Sequence, residues 1–216
     1  MPTIDSVQAH QSKLYYEFSH LYDRVFASVF ADRIHDVIES LAIPDGSSVL
    51  EVGIGTGFSI EAYPPHCEVT GIDLAHEMLD KAKEKIAEHG ACHIRVMQMN
   101  ALALEFPDDS FDYTTAFHVI SVVPDSRQML QELVRVTKPG GLIVLINHFR
   151  SENRLLSALD TLIEPITRRL GWHTLDLDET LRGFPLAMER CSKRSNHSLF
   201  TIVLARNTKN AGAGAD

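Results

Sequence analysis

Cysteine is scarce. Cys67, Cys92 and Cys191 are the three in the chain, far apart, and none belongs to a C-x-x-C pair. That excludes a disulfide framework and fits a reducing compartment, here taken as the cytoplasm. Positive charge is also short: 20 Lys/Arg stand against 29 Asp/Glu, a net charge of −9. General nucleic-acid binding needs a basic footprint, so no nucleic-acid partner is expected. No apolar run approaches the length that spans a bilayer. The opening Met1-Pro-Thr-Ile-Asp5 has no basic region leading into an apolar run, so no signal peptide is expected. His89 and His93 are four residues apart, but Gly90 should end a helix between them, so no metal site is expected. What remains is ordinary for a soluble globular chain: 216 residues, 44% hydrophobic and 23% charged, enough for one domain over 1–216 with a full core.

The chain is organised around Ser48-Val-Leu-Glu-Val-Gly-Ile-Gly-Thr-Gly-Phe58. Val49, Leu50 and Val52 read as a buried strand, which stops at Gly53, Gly55 and Gly57, where glycine lets the backbone turn and a ligand approach. A second strand, Glu68-Val-Thr-Gly-Ile-Asp73, ends in a carboxylate twenty residues after Gly53, the spacing at which an acid reaches a ribose. Dinucleotide sites use G-x-G-x-x-G with a helix N-terminus on a pyrophosphate. Here the pattern is G-x-G-x-G behind Glu51, an acid that would repel a pyrophosphate and suits a ligand carrying an ammonium group. A NAD-dependent oxidoreductase is disfavoured on both counts.

Taken in order, residues 12–30 carry apolar positions at helical spacing, with an aromatic face of Tyr15, Tyr16, Phe18, Tyr22, Phe26 and Phe30. The plain reading is a helix packed on the domain; the sharper one is a lid over the ligand that also touches a membrane. A helix is expected over 32–41 and another from about Ala75 to Glu88, with Met78, Leu79, Ala82 and Ile86 inward. Ile94 to Asn100 reads as a strand, Tyr113 to Val119 as another, and Asp125 to Thr137 as a helix stopped by Lys138-Pro-Gly-Gly141. Gly141 to Ile146 reads as a fully buried strand. Residues 188–195 and 198–206 read as a terminal hairpin turning at Asn196-His197, followed by a disordered tail over 207–216. Alternating strands and helices imply a doubly wound, mostly parallel α/β sheet of seven strands, closed by that antiparallel hairpin.

Glu51-Val-Gly-Ile-Gly-Thr-Gly57 resembles the first motif of the class I S-adenosylmethionine-dependent methyltransferases. Leu104 to Asp112 with the following strand, and Arg135-Val-Thr-Lys-Pro-Gly-Gly141, resemble later motifs of that family. The resemblance implies S-adenosyl-L-methionine as cofactor. It implies cofactor contacts from Glu51, Gly53, Gly55 and Gly57, from Asp73 and Leu74 at the ribose, and from Met78 under the adenine. Asn100 and Ala101 fall at the adenine edge, and His118 and Tyr22 at the methionine end. Met78 and Asn100 also have plain readings, as core and as a turn asparagine.

The acceptor must be read elsewhere, because fold gives the donor only. Tyr22-Asp23 resembles a pair found in lipid- and quinone-modifying methyltransferases. Residues 150–194 hold eight Lys/Arg and seven Asp/Glu, so this stretch escapes the acidity of the rest. Within 150–172, an aliphatic stripe lies beside Arg154, Arg168, Arg169 and Trp172, which suits an anionic membrane surface. From Tyr15-Tyr16 through His148-Phe-Arg-Ser-Glu-Asn153 to Thr167-Arg-Arg-Leu-Gly171, the chain resembles the Rhodobacter-type phosphatidylethanolamine N-methyltransferases. That family implies successive methylation to phosphatidylcholine at the inner face of the membrane. His118, His148 and Tyr16 are the candidate catalytic residues, the two histidines as alternative proton acceptors. Tyr15, Tyr16, His148 and Arg150 are the candidate substrate contacts, with the aromatic rings holding a methylammonium and Arg150 a phosphodiester. The alternatives are a quinone-biosynthesis C-methyltransferase, a small-molecule N- or O-methyltransferase, and a non-catalytic lipid- or adenosylmethionine-binding module.

Overall fold

The structure is a computed structural model and describes residues 31–150, 175–193 and 200–210. The expected lid helix over 12–30, the insertion over 150–172 apart from Arg150, and the Asn196-His197 turn lie outside the described residues. Seven strands form one sheet: β1 (Ser48–Val52), β2 (Glu68–Asp73), β3 (Ile94–Gln98), β4 (Phe111–Phe117), β5 (Thr137–Asn147), β6 (Leu186–Lys193) and β7 (Thr201–Asn207). Their spatial order is β3-β2-β1-β4-β5-β7-β6. The first five pair in parallel, and β7 runs antiparallel between β5 and β6. The order reverses between β1 and β4, so the crevice beyond their carboxyl ends is where an open sheet of this kind binds ligands. The seven-stranded α/β sheet expected from the sequence is the one observed.

The central strand β1 is covered on both faces, as a strand inside a parallel sheet must be. Val49 points to one face, where it packs with Ile34, Val37 and Ile38 of a helix over 31–40 (α1) and with Leu79 and Ala82 of α2 (His76–Glu88). Leu50 and Val52 point to the other, against Met129, Leu130 and Leu133 of α3 (Ser126–Val136). Asp125 caps α3 by accepting from the Gln128 N–H at 2.9 Å. Arg127 donates from α3 to the carbonyls of Glu179, Thr180 and Arg182, and so holds the short helix α4 (Leu177–Leu181) against the domain.

Two boundaries differ from the expected ones. β5 begins at Thr137, so Lys138-Pro-Gly-Gly141 lies inside a strand, with a register irregularity where Phe111 and Tyr113 pair with it. The described residues also reach past 207, where the tail was expected to start. Asn207 is buried, and its amide donates to the carbonyls of Val134 and Thr137 at 2.9 and 2.8 Å. Lys209 donates to the Val134 and Arg135 carbonyls at the end of α3. A polar segment looks loose in sequence, but here its side chains satisfy the orphan carbonyls of a helix terminus.

Candidate active site

The glycine turn follows directly from the end of β1. Gly53 and Ile54 both donate to the Ile72 carbonyl, at 2.8 and 3.0 Å, which ties the turn to the last residues of β2. Gly53 and Gly55 take φ of +75° and +55° and do different work. A Cβ on Gly53 would stand 2.7 Å from Val119, so this glycine lets the turn pack on the β4 side. A Cβ on Gly55 would meet nothing within 4 Å, so this glycine presents bare backbone to open space. Gly57 follows with φ +80° and packs toward Ile60.

Asp73, at the tip of β2, turns its carboxylate back to that open side. One oxygen accepts from the Gly55 N–H at 3.0 Å and the other from the Ala75 N–H at 2.9 Å. Burial pushes its pKa up, while the N–H groups of Ala75, Gly55 and Leu74 pull it down. Each oxygen keeps acceptor capacity beyond these bonds. Leu74 is 49% exposed, an unusual position for a large apolar side chain, and its carbonyl accepts from Gln98 at 2.8 Å. Met78 is buried on the first turn of α2. Asn100 closes a local turn, its carbonyl oxygen accepting from the Leu102 N–H at 2.9 Å, and Ala101 is half-buried beside it.

Glu51 occupies a different place from the rest. It is buried on the α1 side of β1, where the Tyr63 hydroxyl donates to it at 2.7 Å and itself lies 3.0 Å from Thr115. Desolvation pushes the carboxyl up to about 7, against the pull of hydrogen bonds from Tyr63 and Ser59. Tyr63 is pushed well above its ordinary value by burial first and by Glu51 second. Glu51 thus backs the glycine turn from within the core.

A second cluster gathers at the carboxyl ends of β4 and β5. His118 follows Phe117 with φ +62°, a conformation uncommon outside glycine and found where function or packing demands it. Its N–H donates to the Ile146 carbonyl at 2.7 Å. Its ring stands edge-on to Phe200, centroids 4.7 Å apart at 90°. His148 approaches the same Phe200 ring at 6.2 Å. Burial, and then the positive charge of Arg33, push His118 down to about 3, so it stays neutral at physiological pH. Arg33 is buried on α1, with its guanidinium carbon 5.3 Å from the Phe200 centroid. Arg150 is exposed, and its N–H donates to the Leu175 carbonyl at 2.8 Å.

The structure therefore brings Gly53, Gly55, Gly57, Asp73 and Leu74 to one edge of the crevice, and His118 and His148 together at the other. Tyr15, Tyr16 and Tyr22 lie outside the described residues. Sequence reasoning missed Arg33, Phe200 and Tyr63. Arg33 sits among apolar positions of a helix that reads as core, and Phe200 precedes a strand, so neither carries a local signal. Among the described residues, no group of three His, Cys, Asp or Glu side chains is arranged to hold a metal ion, and no helix is long and apolar enough to cross a membrane.

Residues 50–145 match the model of a methyltransferase domain. The chain is 42% identical over 160 residues to a phosphatidylethanolamine N-methyltransferase of Cereibacter sphaeroides, covering 73% of this chain and 79% of that one. It is 35% identical over 144 residues to a demethylmenaquinone methyltransferase of Listeria monocytogenes, covering 62% of this chain and 60% of that one. Among solved structures, a possible histamine N-methyltransferase from Thermotoga maritima superposes with a TM-score of 0.69 at 18% identity, over 92% of this chain and 100% of that one. A methyltransferase-like protein from Bacillus halodurans gives 0.70 at 16% identity, over 82% and 99%.

Proposed function

This chain belongs to the class I S-adenosylmethionine-dependent methyltransferases, and from that premise we propose that it methylates the amine of phosphatidylethanolamine and of its mono- and dimethyl derivatives. S-adenosylmethionine is its methyl donor. The residues present fit that ligand. Gly55 offers open backbone where a Cβ would meet nothing, and Asp73 beside it has oxygens to accept from ribose hydroxyls. Leu74 and Met78 then flank the adenine, and Asn100 takes its exocyclic amine through its remaining acceptor capacity. Glu51 acts from behind, as a buried support for the turn.

When bound, S-adenosylmethionine supplies a methyl carbon already activated by its sulfonium, so the protein's task is alignment and removal of one proton. Only a neutral amine attacks, and a primary amine of Lys-like pKa, roughly 10, is mostly protonated at neutral pH. His118 is too weak a base to take that proton, because burial and Arg33 hold it at about 3. Its part is to orient the acceptor as a neutral imidazole. His148, facing the same Phe200 ring, is the proton acceptor, directly or through water. Tyr15 and Tyr16 are assigned to the methylammonium cage, Arg150 to the membrane side of the head group, and Tyr22 to the methionine end.

The observation that carries the lipid reading is the 42% identity to the Cereibacter phosphatidylethanolamine N-methyltransferase over most of both chains. The 35% identity to the demethylmenaquinone enzyme favours a quinone C-methyltransferase as the second reading. Thin-layer separation of lipids from cells expressing the protein decides between them. New mono-, di- and trimethylated phospholipid is the expected result. Methylated quinone with unchanged phospholipid would replace the first reading by the second. On this reading the enzyme works as a peripheral protein at the inner membrane face.

A further inference from the structure

The described acceptor side contains a cation on which the sequence gives no hint. Arg33 is only 8% exposed, yet it comes from α1 to the ring of Phe200, which in turn packs edge-on against His118. Three segments distant in sequence thus meet at the carboxyl ends of β4 and β5. We propose that Arg33 is the specificity-determining cation of the acceptor site, holding the phosphodiester of the lipid head group while Phe200 and His118 wall the amine beside it.

This rests on the phospholipid reading above and deepens it. In a phosphoethanolamine head group, the anionic phosphodiester is joined to the amine by two carbons. A site that methylates the amine must therefore meet the phosphate within the same corner, and a quinone ring brings no such anion. Arg150 is exposed to water, where a charge pair contributes little. Arg33 is buried, where a charge pair is screened far less by water and salt than at an exposed site. The contact with Phe200 constrains the guanidinium without consuming an N–H. Five donors in a planar fork let one edge serve the protein and another a phosphate.

The test compares wild type with Arg33→Gln and Arg33→Lys, using vesicles of phosphatidylethanolamine and vesicles carrying a primary-amine lipid without phosphate. Release of S-adenosylhomocysteine is the readout; a phosphate-free amine that is not turned over is scored as a competitor. Calorimetry with S-adenosylmethionine runs alongside. For Arg33→Gln, kcat/KM on phosphatidylethanolamine falls about 100-fold, the effect of losing a charge-assisted contact. The phosphate-free amine changes by less than about threefold, and cofactor affinity is unchanged. Arg33→Lys keeps the charge and loses the fork, so it falls less, through KM. Equal loss on both amines, or phosphatidylethanolamine turnover retained by Arg33→Gln, overturns the assignment. A wild type that releases no product with phosphatidylethanolamine overturns the lipid reading itself, before Arg33 is reached.

Discussion

Replacing Glu51 by Gln keeps the shape of the side chain and removes its titration. In the folded protein the carboxyl is buried and pushed up to about 7, from 4.5 for an exposed glutamate. Between those two values the native state keeps a proton that the unfolded chain releases. The folded state binds more protons, so wild-type stability falls as pH rises from about 4.5 to about 7, and this contribution is level on either side. At 1.36 kcal/mol per unit, a rise from 4.5 to about 7 corresponds to about 3 kcal/mol. Glutamine has no such slope and still accepts from the Tyr63 hydroxyl. Urea unfolding without cofactor, measured for both proteins between pH 4 and pH 8, reads the difference directly. The advantage of Glu51→Gln over wild type should grow by about 3 kcal/mol across that window. Two stability curves that stay parallel within about 0.5 kcal/mol would refute the reasoning, because a normally titrating or solvent-reached carboxylate has no such term.

Asp73→Asn tests the ribose contact. It removes the charge and leaves either the Gly55 or the Ala75 N–H facing an amide NH2 in place of an oxygen, so the cofactor-free protein should lose about 1–3 kcal/mol of stability while S-adenosylmethionine binding weakens by about 100-fold in calorimetry. Binding within threefold of wild type would remove Asp73 from the site. Asn207→Ala removes the amide from the Thr137 carbonyl and leaves the Val134 carbonyl to Lys209, and should cost about 1–2 kcal/mol in chemical denaturation. A loss under 0.5 kcal/mol would mean that water or Lys209 replaces the amide.

The glycine turn and the acid at the tip of β2 were legible because their information is local. A strand ending in spaced glycines, and a second strand ending in Asp73, are patterns within one short stretch, and the parallel sheet follows from their repetition. Asp73 and Gly55 meet at 3.0 Å because the turn returns to the neighbouring strand. The acceptor half is written in juxtapositions. Arg33 and Phe200 contribute one side chain each from segments whose patterns read as core helix and strand start, and only the packed sheet brings them to His118. Glu51 illustrates the same limit from the other side. Its position before the glycines suggests a ligand contact, but strand alternation turns it to the face where Tyr63 waits. The order past Asn207 was hidden because polar residues advertise solvent, while their donors here meet a helix end.

The place of β7, between β5 and β6, has a consequence for how the enzyme comes into being. The glycine turn and Asp73, proposed to meet the donor, lie before Asn147 in the chain and are synthesised first. Phe200, which lies against both histidines, is delivered only when the strand after it slots into the gap beside β5. On the proposed assignment, the acceptor corner is therefore the last part of the described site to be synthesised and closed.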